Sequence, residues 1–455
     1  MLKEDLELNK HINGKITVNN VIMFYTVAKI YTLSSDAKFG LKFIELCFPM
    51  VVETNNFLHL DINHVAKILA SSELDVHSEV EVFNAAKAWL KHNSEERSKY
   101  AKQLLLKVRL SLLSEHALRF ILNCDKFSES QECVKVLKTV YMSKASLYQN
   151  KSRSVYTNRY CSQNKHSVIL CGGSKILART NTSVHKIDGS HLNNVRILPS
   201  LTEERFELKA VSLKGEVYVL GGRNSAEDLV NIVEKYSPST NSWSKVTNMF
   251  DKRQYFCACA FIDSFYIFGG DHATSWIVGG TNAYEILDTN SCLEFNIKHN
   301  SWKEIASMKH ETSHAACTVF QGNIVVSGGF GDNTGDHTNY VESYDAFADN
   351  WSPMPDMINC HNEHSLVVVK NKLFVIGYRS EVFDNVCKKF VALNPKHQPI
   401  ITSNSSVQIG NKILVFRVKK SSVVCYDVDK DHWTEEKFEL TSFLYGFSCA
   451  KLPSC

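Results

Sequence analysis

No apolar run in this 455-residue chain approaches the roughly 18–20 residues that cross a bilayer, so no membrane-spanning helix and no membrane partner are expected. The N-terminus, MLKEDLELNKHINGK, is acidic and polar rather than basic and then apolar, which excludes a secretion signal at that point. Surplus charge is missing as well. A net charge of +3 argues against nucleic acid as the main partner. The 14 cysteines form no CxxC pair and read as scattered reduced thiols of a cytoplasmic protein. The helical first third has no Gly-rich phosphate loop, and no Gly-x-Ser-x-Gly elbow occurs anywhere. No cofactor is called for.

What the chain does have is a repeat. Around residues 256–351 two apolar runs separated by a turn end in a glycine pair, a third run follows, and an Asn/Asp-rich turn then delivers a tryptophan. Trp243 lies 27 residues before Gly270, Trp302 27 before Gly329, and Trp351 27 before Tyr378, which follows Gly377. The second members of these pairs, or their equivalents, fall at Gly173, Gly222, Gly270, Gly329, Tyr378 and Val418, with gaps of 49, 48, 59, 49 and 40 residues. Four short strands per unit of this length predict a propeller blade, and six units are counted. The first unit begins at its second strand. The run YGFSCAKL at the C-terminus begins a seventh unit that never continues. The tail is therefore expected to lie beside residues 168–171 and to close the ring, leaving no open sheet edge.

The first 150 residues read as helix. Residues 21–33 and 37–48 carry apolar side chains at three- and four-residue spacings. Ser78 and Glu81 form a capping box ahead of a helix that buries Val82, Phe83, Ala86, Trp89 and Leu90. Ser94 is expected to cap the next helix, with Tyr100, Leu104, Leu105 and Val108 on its apolar face. Short antiparallel helices of this kind suggest a helical-hairpin stack. A polar stretch, YMSKASLYQNKSRSVYTNRYCSQNK, leads into the strand region.

The glycine pairs at 172–173, 221–222, 269–270 and 328–329, the Glu-x-Tyr of VEKYSPSTNSW and VESYDAFADNW, and the spaced tryptophans resemble the kelch family of propellers. LDVHSEVEVFNAAKAWL (74–90) and LLLKVRLSLLS (104–114) resemble the BACK domain, and the order matches the BTB–BACK–kelch proteins. The resemblance implies a multidomain fold: an all-α BACK-type helical domain, then an all-β six-bladed kelch propeller closed by the C-terminal strand. The boundaries expected are 1–50 for helices that follow a BTB domain, 51–150 for the BACK-like domain, 151–166 for a linker and 167–455 for the propeller. Few residues precede Ile16, whereas a BTB domain needs on the order of a hundred. The chain thus reads as a truncated isoform or fragment, with viral kelch proteins as the second reading, and cullin binding and dimerisation are in question without BTB. The family implies a non-catalytic substrate adaptor of a cullin-3-type RING ubiquitin ligase. It would hold a protein substrate at the propeller mouth, with cullin-3 reached through the N-terminal helices. An actin-binding or scaffold module is the alternative.

The frame also picks out the residues at the mouth. Glu207, Tyr255, His314, Glu363, Ser403 and Leu444 sit just before each first strand; Ser174, Arg223, Asn224, Asp271, His272, Asp332, Arg379 and Lys419 sit just after each glycine position. By resemblance to kelch receptors these two rings line the substrate face. Arg223, Asn224, Tyr255, His314 and Arg379 are the strongest candidates, because they combine contact area with hydrogen-bond donors. The third unit carries an insertion after Gly270, expected as a loop, with Trp276 and Ile277 as a partner anchor or as cargo folded on its own blade. His310–Glu311–Thr312–Ser313–His314 spells HExxH, but the frame puts it in a loop before a strand, where the two histidines cannot converge on zinc. His361 and His364 are expected at the surface of the corresponding loop, and Arg253 in the same loop is either exposed or a bridge between blades.

Overall fold

The computed structural model describes residues 16–453 apart from 77, 114, 148–165, 176–177, 181, 190, 279–280, 332–335, 394–398, 400, 402–404, 418–421 and 438–445. The chain folds as two units, Met1–Ser162 with Pro453–Cys455, and Gln163–Leu452. Among the described residues no helix is long and apolar enough to cross a membrane.

The described residues of the first unit form helices joined by turns and short loops. The Ser78 capping box forms as its sequence requires: Ser78 Oγ accepts from Val80 N–H and Glu81 Oε1 accepts from Ser78 N–H, both at 3.2 Å. It starts helix Glu79–His92, whose Phe83, Ala86, Trp89 and Leu90 are buried. Trp89 donates its indole N–H to the Leu60 carbonyl at 2.9 Å, and the Arg97 guanidinium lies over its ring. Ser94 is not a cap. The preceding Asn93 takes that position, and Ser94 is the first residue of the short helix Ser94–Arg97. Helix Val21–Ile30 buries Val21, Ile22, Tyr25 and Ala28 and turns Met23, Val27 and Ile30 outward. Cys47 is disulfide-bonded, contrary to the expectation of reduced thiols throughout; the other described cysteines are free.

Among the described residues the second unit contains six four-stranded sheets, numbered here in chain order. Sheets 2 to 6 are meanders beginning at Lys209–Leu213, Cys257–Phe261, Ala316–Phe320, Ser365–Val369 and Ser406–Ile409. Sheet 1 runs in the order Ser448–Pro453, His166–Cys171, Val184–Asp188, His191–Leu198, so the C-terminal strand is its first. The second strands His166–Cys171 and Ser264–Phe268 are buried at every residue, and those of the other sheets at all but their ends. Lys214–Gly215 and Gln321–Gly322 join first to second strands in two-residue turns with both residues at positive φ, matching the strand twist. Sheet 1 packs Val168, Leu170 and Ile187 against Val407, Leu414 and Phe416 of sheet 6, and its other face, with Ile169, Cys171 and Ala450, against Leu208, Val217 and Val219 of sheet 2.

The recurring residues have recurring jobs. On the third strand Tyr236 and Tyr344 donate their hydroxyls to Asn241 and Asp349, both at 2.8 Å, in the turn that precedes the tryptophan. The turn residues Asn241, Asn300 and Asp349 all have φ near +49, which Asn and Asp tolerate better than most side chains. The tryptophan then reaches backwards. Trp243 donates to Pro199 O, Trp302 to Thr247 O and Trp351 to Ala306 O, each at 2.7–2.8 Å and each into the end of the preceding sheet. The indole N–H bond thus ties each of these sheets to the one before it.

The glycine pairs act at the other end of the strands. Both glycines of the first four pairs have positive φ. Gly329 shows why no other residue serves: φ is +100, and a Cβ would stand 2.3 Å from the Ser313 carbonyl oxygen. The second glycine donates its N–H to the next sheet's leading loop, Gly173 to Arg205 O, Gly222 to Arg253 O, Gly270 to Thr312 O and Gly329 to His361 O, at 2.7–3.1 Å. The side chains of Arg205, Arg253 and His361 then act as buried latches. Arg205 pairs with Glu234 at 2.5 Å, both 0% exposed, and donates to Ile232 O and Gly221 O. Arg253 donates to Gly269 O, Ser291 O and Asp251, so it is a structural bridge. His361 meets Glu381 at 3.2 Å. The surface position expected of His361 and His364 is therefore wrong: they are 3% and 1% exposed. Both belong to a segment that closes over the preceding glycine pair, which a loop assignment alone did not reveal.

Candidate functional site

The mouth is the end of the strand unit where first strands begin and second strands finish. Two residues ahead of its first strand, each described sheet from 2 to 5 has one non-glycine residue in the left-handed region: Glu207 (φ 53), Tyr255 (φ 51), His314 (φ 57) and Glu363 (φ 47). All four are half-buried. Gly446 (φ 65) has this place in sheet 1, two residues after Leu444, which the sequence frame had favoured; Leu444 itself lies outside the described residues. A left-handed conformation at a non-glycine residue costs on the order of 1 kcal/mol, and four in register form a ring of side chains held by the same backbone device. The ring is stitched by main-chain bonds: His314 N–H donates to Tyr255 O, and Glu207 N–H to Gly446 O, both at 2.8 Å.

The segments after the glycine pairs come back against this ring. Phe206 bridges Arg223, Gln254 pairs with Asp271, and Ser313 pairs with Phe330. The two sets of sequence candidates are thus brought side by side across sheets 2 to 4. A polar belt runs through them. Arg223 Nε donates to Gln254 Oε1, Gln254 Nε2 donates to Asp271 Oδ2 at 3.1 Å, and Ser313 hydrogen-bonds both Asp271 and, at 3.2 Å, His314 Nδ1. The His314 ring stacks on Tyr255 with centroids 3.8 Å apart and planes 22° from parallel. Phe330 meets the His314 ring edge-on.

Burial sets the charge states. The Glu207 carboxyl is pushed up to about 7, first by burial and then by the Glu363 and Asp271 carboxylates, against the pull of Lys209 and Arg223. Asp271 rises to about 6, by burial and by Asp288, its cross-strand partner. His314 falls to about 4, through burial and the Lys209 charge, so its imidazole is neutral at physiological pH and stacks as an uncharged ring. The site is a half-buried surface of aromatic faces and hydrogen-bonding groups of both signs, suited to gripping a polypeptide.

The other sequence candidates fare unequally. Asn224 Oδ1 accepts from Ala226 and Asp228 N–H at 2.9 Å, which folds its own loop. Arg379 is exposed on the tight turn between the second and third strands of sheet 5, near Asn359, and has no part in the belt. Trp276 lies on a strand: Asp271–Val278 and Thr281–Asp288 form a two-stranded ribbon pairing Trp276 with Ala283, where a loop had been expected. Ser403 and Asp332 lie outside the described residues. In the HExxH segment His310 stacks on Tyr340 and His314 on Tyr255, and residues 312–313 are strand. Among the described residues no group of three or more His, Cys, Asp or Glu could hold a metal. Sequence reasoning missed Gln254, Ser313, Asp288 and Lys209. The first two directly precede Tyr255 and His314, so the repeat frame itself could have flagged them.

Both units of the chain are similar to known proteins. Residues 21–123 match the family model described as "BACK: BTB And C-terminal Kelch". The model described as "KLHDC2/KLHL20/DRC7 Kelch-repeats domain" matches residues 158–377 and 207–425, which together cover more than half of the chain. Kelch-like protein 25 of Xenopus tropicalis is 23% identical over 406 residues, 85% of this chain and 66% of that protein. Kelch-like protein 26 of Danio rerio is 25% identical over 347 residues, covering 74% and 54% respectively. Kelch-like protein 36 of Bos taurus is 22% identical over 486 residues, covering 98% and 75%. The chain spans 54–66% of the length of the first two of these relatives.

Proposed function

We propose that this chain, which belongs to the kelch-like family through its BACK region and kelch repeats, is a non-catalytic adaptor that holds a protein target at the strand-unit mouth for a cullin-3-type ubiquitin ligase. The observation that carries the capture half is the ring Glu207, Tyr255, His314, Glu363, with its belt through Arg223, Gln254 and Asp271. Nothing in it is arranged for bond-making chemistry, and everything in it offers area and hydrogen bonds. On this proposal Arg223, Tyr255, His314, Glu207, Glu363 and Asp271 contact the target.

The proposal includes a six-bladed propeller closed by the C-terminal strand. What supports closure is the place of Ser448–Pro453 in sheet 1 and the packing of that sheet on both sheet 2 and sheet 6. Ser405 Oγ donating to Phe447 O, and Ser448 Oγ accepting from Ala210 N–H at 3.0 Å, tie the same strand to both neighbours. The propeller would span 167–455, the BACK-like domain 51–150 and the helices that follow a BTB domain 1–50. In a cytoplasmic adaptor the cullin contact falls to helix Val21–Ile30, where Met23 (62% exposed), Val27, Ile30 (73%) and the adjoining Tyr31 present an apolar stripe at helical spacing.

The test uses purified cullin-3 and the full chain. Direct binding that is lost on Ile30→Asp supports the adaptor. Co-sedimentation with actin filaments, without cullin binding, would replace it with a cytoskeletal role.

A further inference from the structure

In sheets 2 and 5 one acid, at the same place in the third strand, closes the latch described above. Glu234 accepts from Thr202 N–H with one oxygen and from the Arg205 guanidinium with the other. Glu381 accepts from Ile358 N–H and meets His361. Sheet 4 keeps the acid: Glu342 Oε2 accepts from Lys309 N–H at 3.3 Å, three residues before the latch position, as Thr202 and Ile358 stand before theirs. The latch residue there is Thr312. Its Oγ1 reaches Gly328 O at 3.1 Å, the carbonyl equivalent to Gly221 O beneath Arg205. It is too short to reach Glu342, and among the described residues no cation pairs with that carboxylate.

Where an arginine would lie there is a small pocket opening to solvent, lined by Thr312, Gly328, Glu342, Met308, Tyr340 and His310. Its acid and carbonyls stand where Glu234, Ile232 O and Gly221 O grip Arg205. Tyr340 O, which accepts from Gly328 N–H at 2.9 Å, corresponds to Ile232 O and Ser291 O, both acceptors from those guanidinium groups. The Tyr340 and His310 rings, stacked 4.6 Å apart, form a flat aromatic wall of the sort on which a guanidinium packs. We propose that this pocket is a binding site for a guanidinium group supplied from outside the chain, held between Glu342 and the Tyr340 carbonyl as sheet 2 holds Arg205 between Glu234 and the Ile232 carbonyl.

Ligand-detected NMR on the full chain tests this with ethylguanidinium, its neutral isostere ethylurea, and a Gly-Arg-Gly tripeptide blocked at both ends. Ethylguanidinium should bind the native chain and ethylurea should not. Glu342→Gln, which keeps the volume and removes the charge, should weaken ethylguanidinium at least tenfold. Thr312→Arg should abolish binding by filling the pocket and should raise Tm. Tripeptide binding as strong as ethylguanidinium identifies a partner's arginine as the source, whereas its exclusion identifies a free guanidino compound. Equal binding of ethylurea, unchanged binding in Glu342→Gln, or no binding to the native chain overturns the proposal. Should Thr312→Arg not fold, Glu342→Gln still decides.

Discussion

Removing the Arg205 side chain probes the latch that couples neighbouring sheets. Arg205→Met preserves most of the apolar bulk but leaves Glu234 in a fully buried site with only the Thr202 N–H for a partner. Stranding a buried carboxylate in this way costs about 3–5 kcal/mol. Bonds to Ile232 O and Gly221 O go with it. In a unit of this size each kcal/mol moves Tm by roughly 2 °C, so a fall of about 6–10 °C is expected. Adding Glu234→Gln to Arg205→Met removes the stranded charge and should restore at least ~2 kcal/mol, since the two residues act as one element. Thermal unfolding of the full chain followed by tryptophan fluorescence reports it, because five of the six tryptophans lie in the strand unit. A loss under about 2 °C for Arg205→Met, or a double variant whose loss is the sum of the two singles, would refute the latch.

Two further outcomes follow from the same geometry. His364 is held near pKa 3 by burial and by neighbouring His361, and His314 near 4 by burial and Lys209. Both lie below the ordinary value of about 6.5, so the folded state binds fewer protons than the unfolded; their stability is complete above pH ~6.5 and is lost as pH falls toward 4 and then 3. Glu207, raised to about 7, and Asp271, raised to about 6, have the opposite sign and lose stability as pH rises through that range, but their displacements together are smaller than the two histidines'. Tm should therefore fall between pH 6.5 and 4, and less steeply in His314→Phe, which keeps the stack on Tyr255; a flat profile contradicts the burial argument. Gly329→Ala meets the Ser313 carbonyl at 2.3 Å with φ at +100, and should destabilise by about 2 kcal/mol or more, whereas Gly322→Ala, with nothing within 4 Å of its Cβ, should cost about 1 kcal/mol for its φ of +84. Chemical denaturation of the two variants side by side checks the order.

Much of the frame was legible because it repeats. The 27-residue step from tryptophan to glycine is the length of chain needed to cross from one sheet's outer strand to the next sheet's second strand, and any unit that keeps the topology keeps the count. The left-handed ring at Glu207, Tyr255, His314 and Glu363 was located by that frame alone, although nothing in those four residue types announces a positive φ. Where the frame failed, local geometry had departed from it. Gly377 is followed by Tyr378 rather than glycine, the chain turns at once into Glu381–Asp384, and Arg379 is carried away from the belt. His361 and His364 are loop residues, as the frame placed them, but looked exposed because burial by a neighbouring sheet leaves no periodic mark in their own segment. The ribbon bearing Trp276 was hidden for a different reason: its two arms carry no clean alternation of apolar and polar residues.

The central claim is that the mouth ring captures a protein. Quantitative mass spectrometry of proteins retained by the full chain, by Tyr255→Ala/Arg223→Ala and by Ile30→Asp tests it most directly. The claim predicts at least one protein lost tenfold or more with the mouth variant and retained with Ile30→Asp, while cullin shows the reverse pattern. Identical sets retained by the native chain and by the folded mouth variant would contradict it.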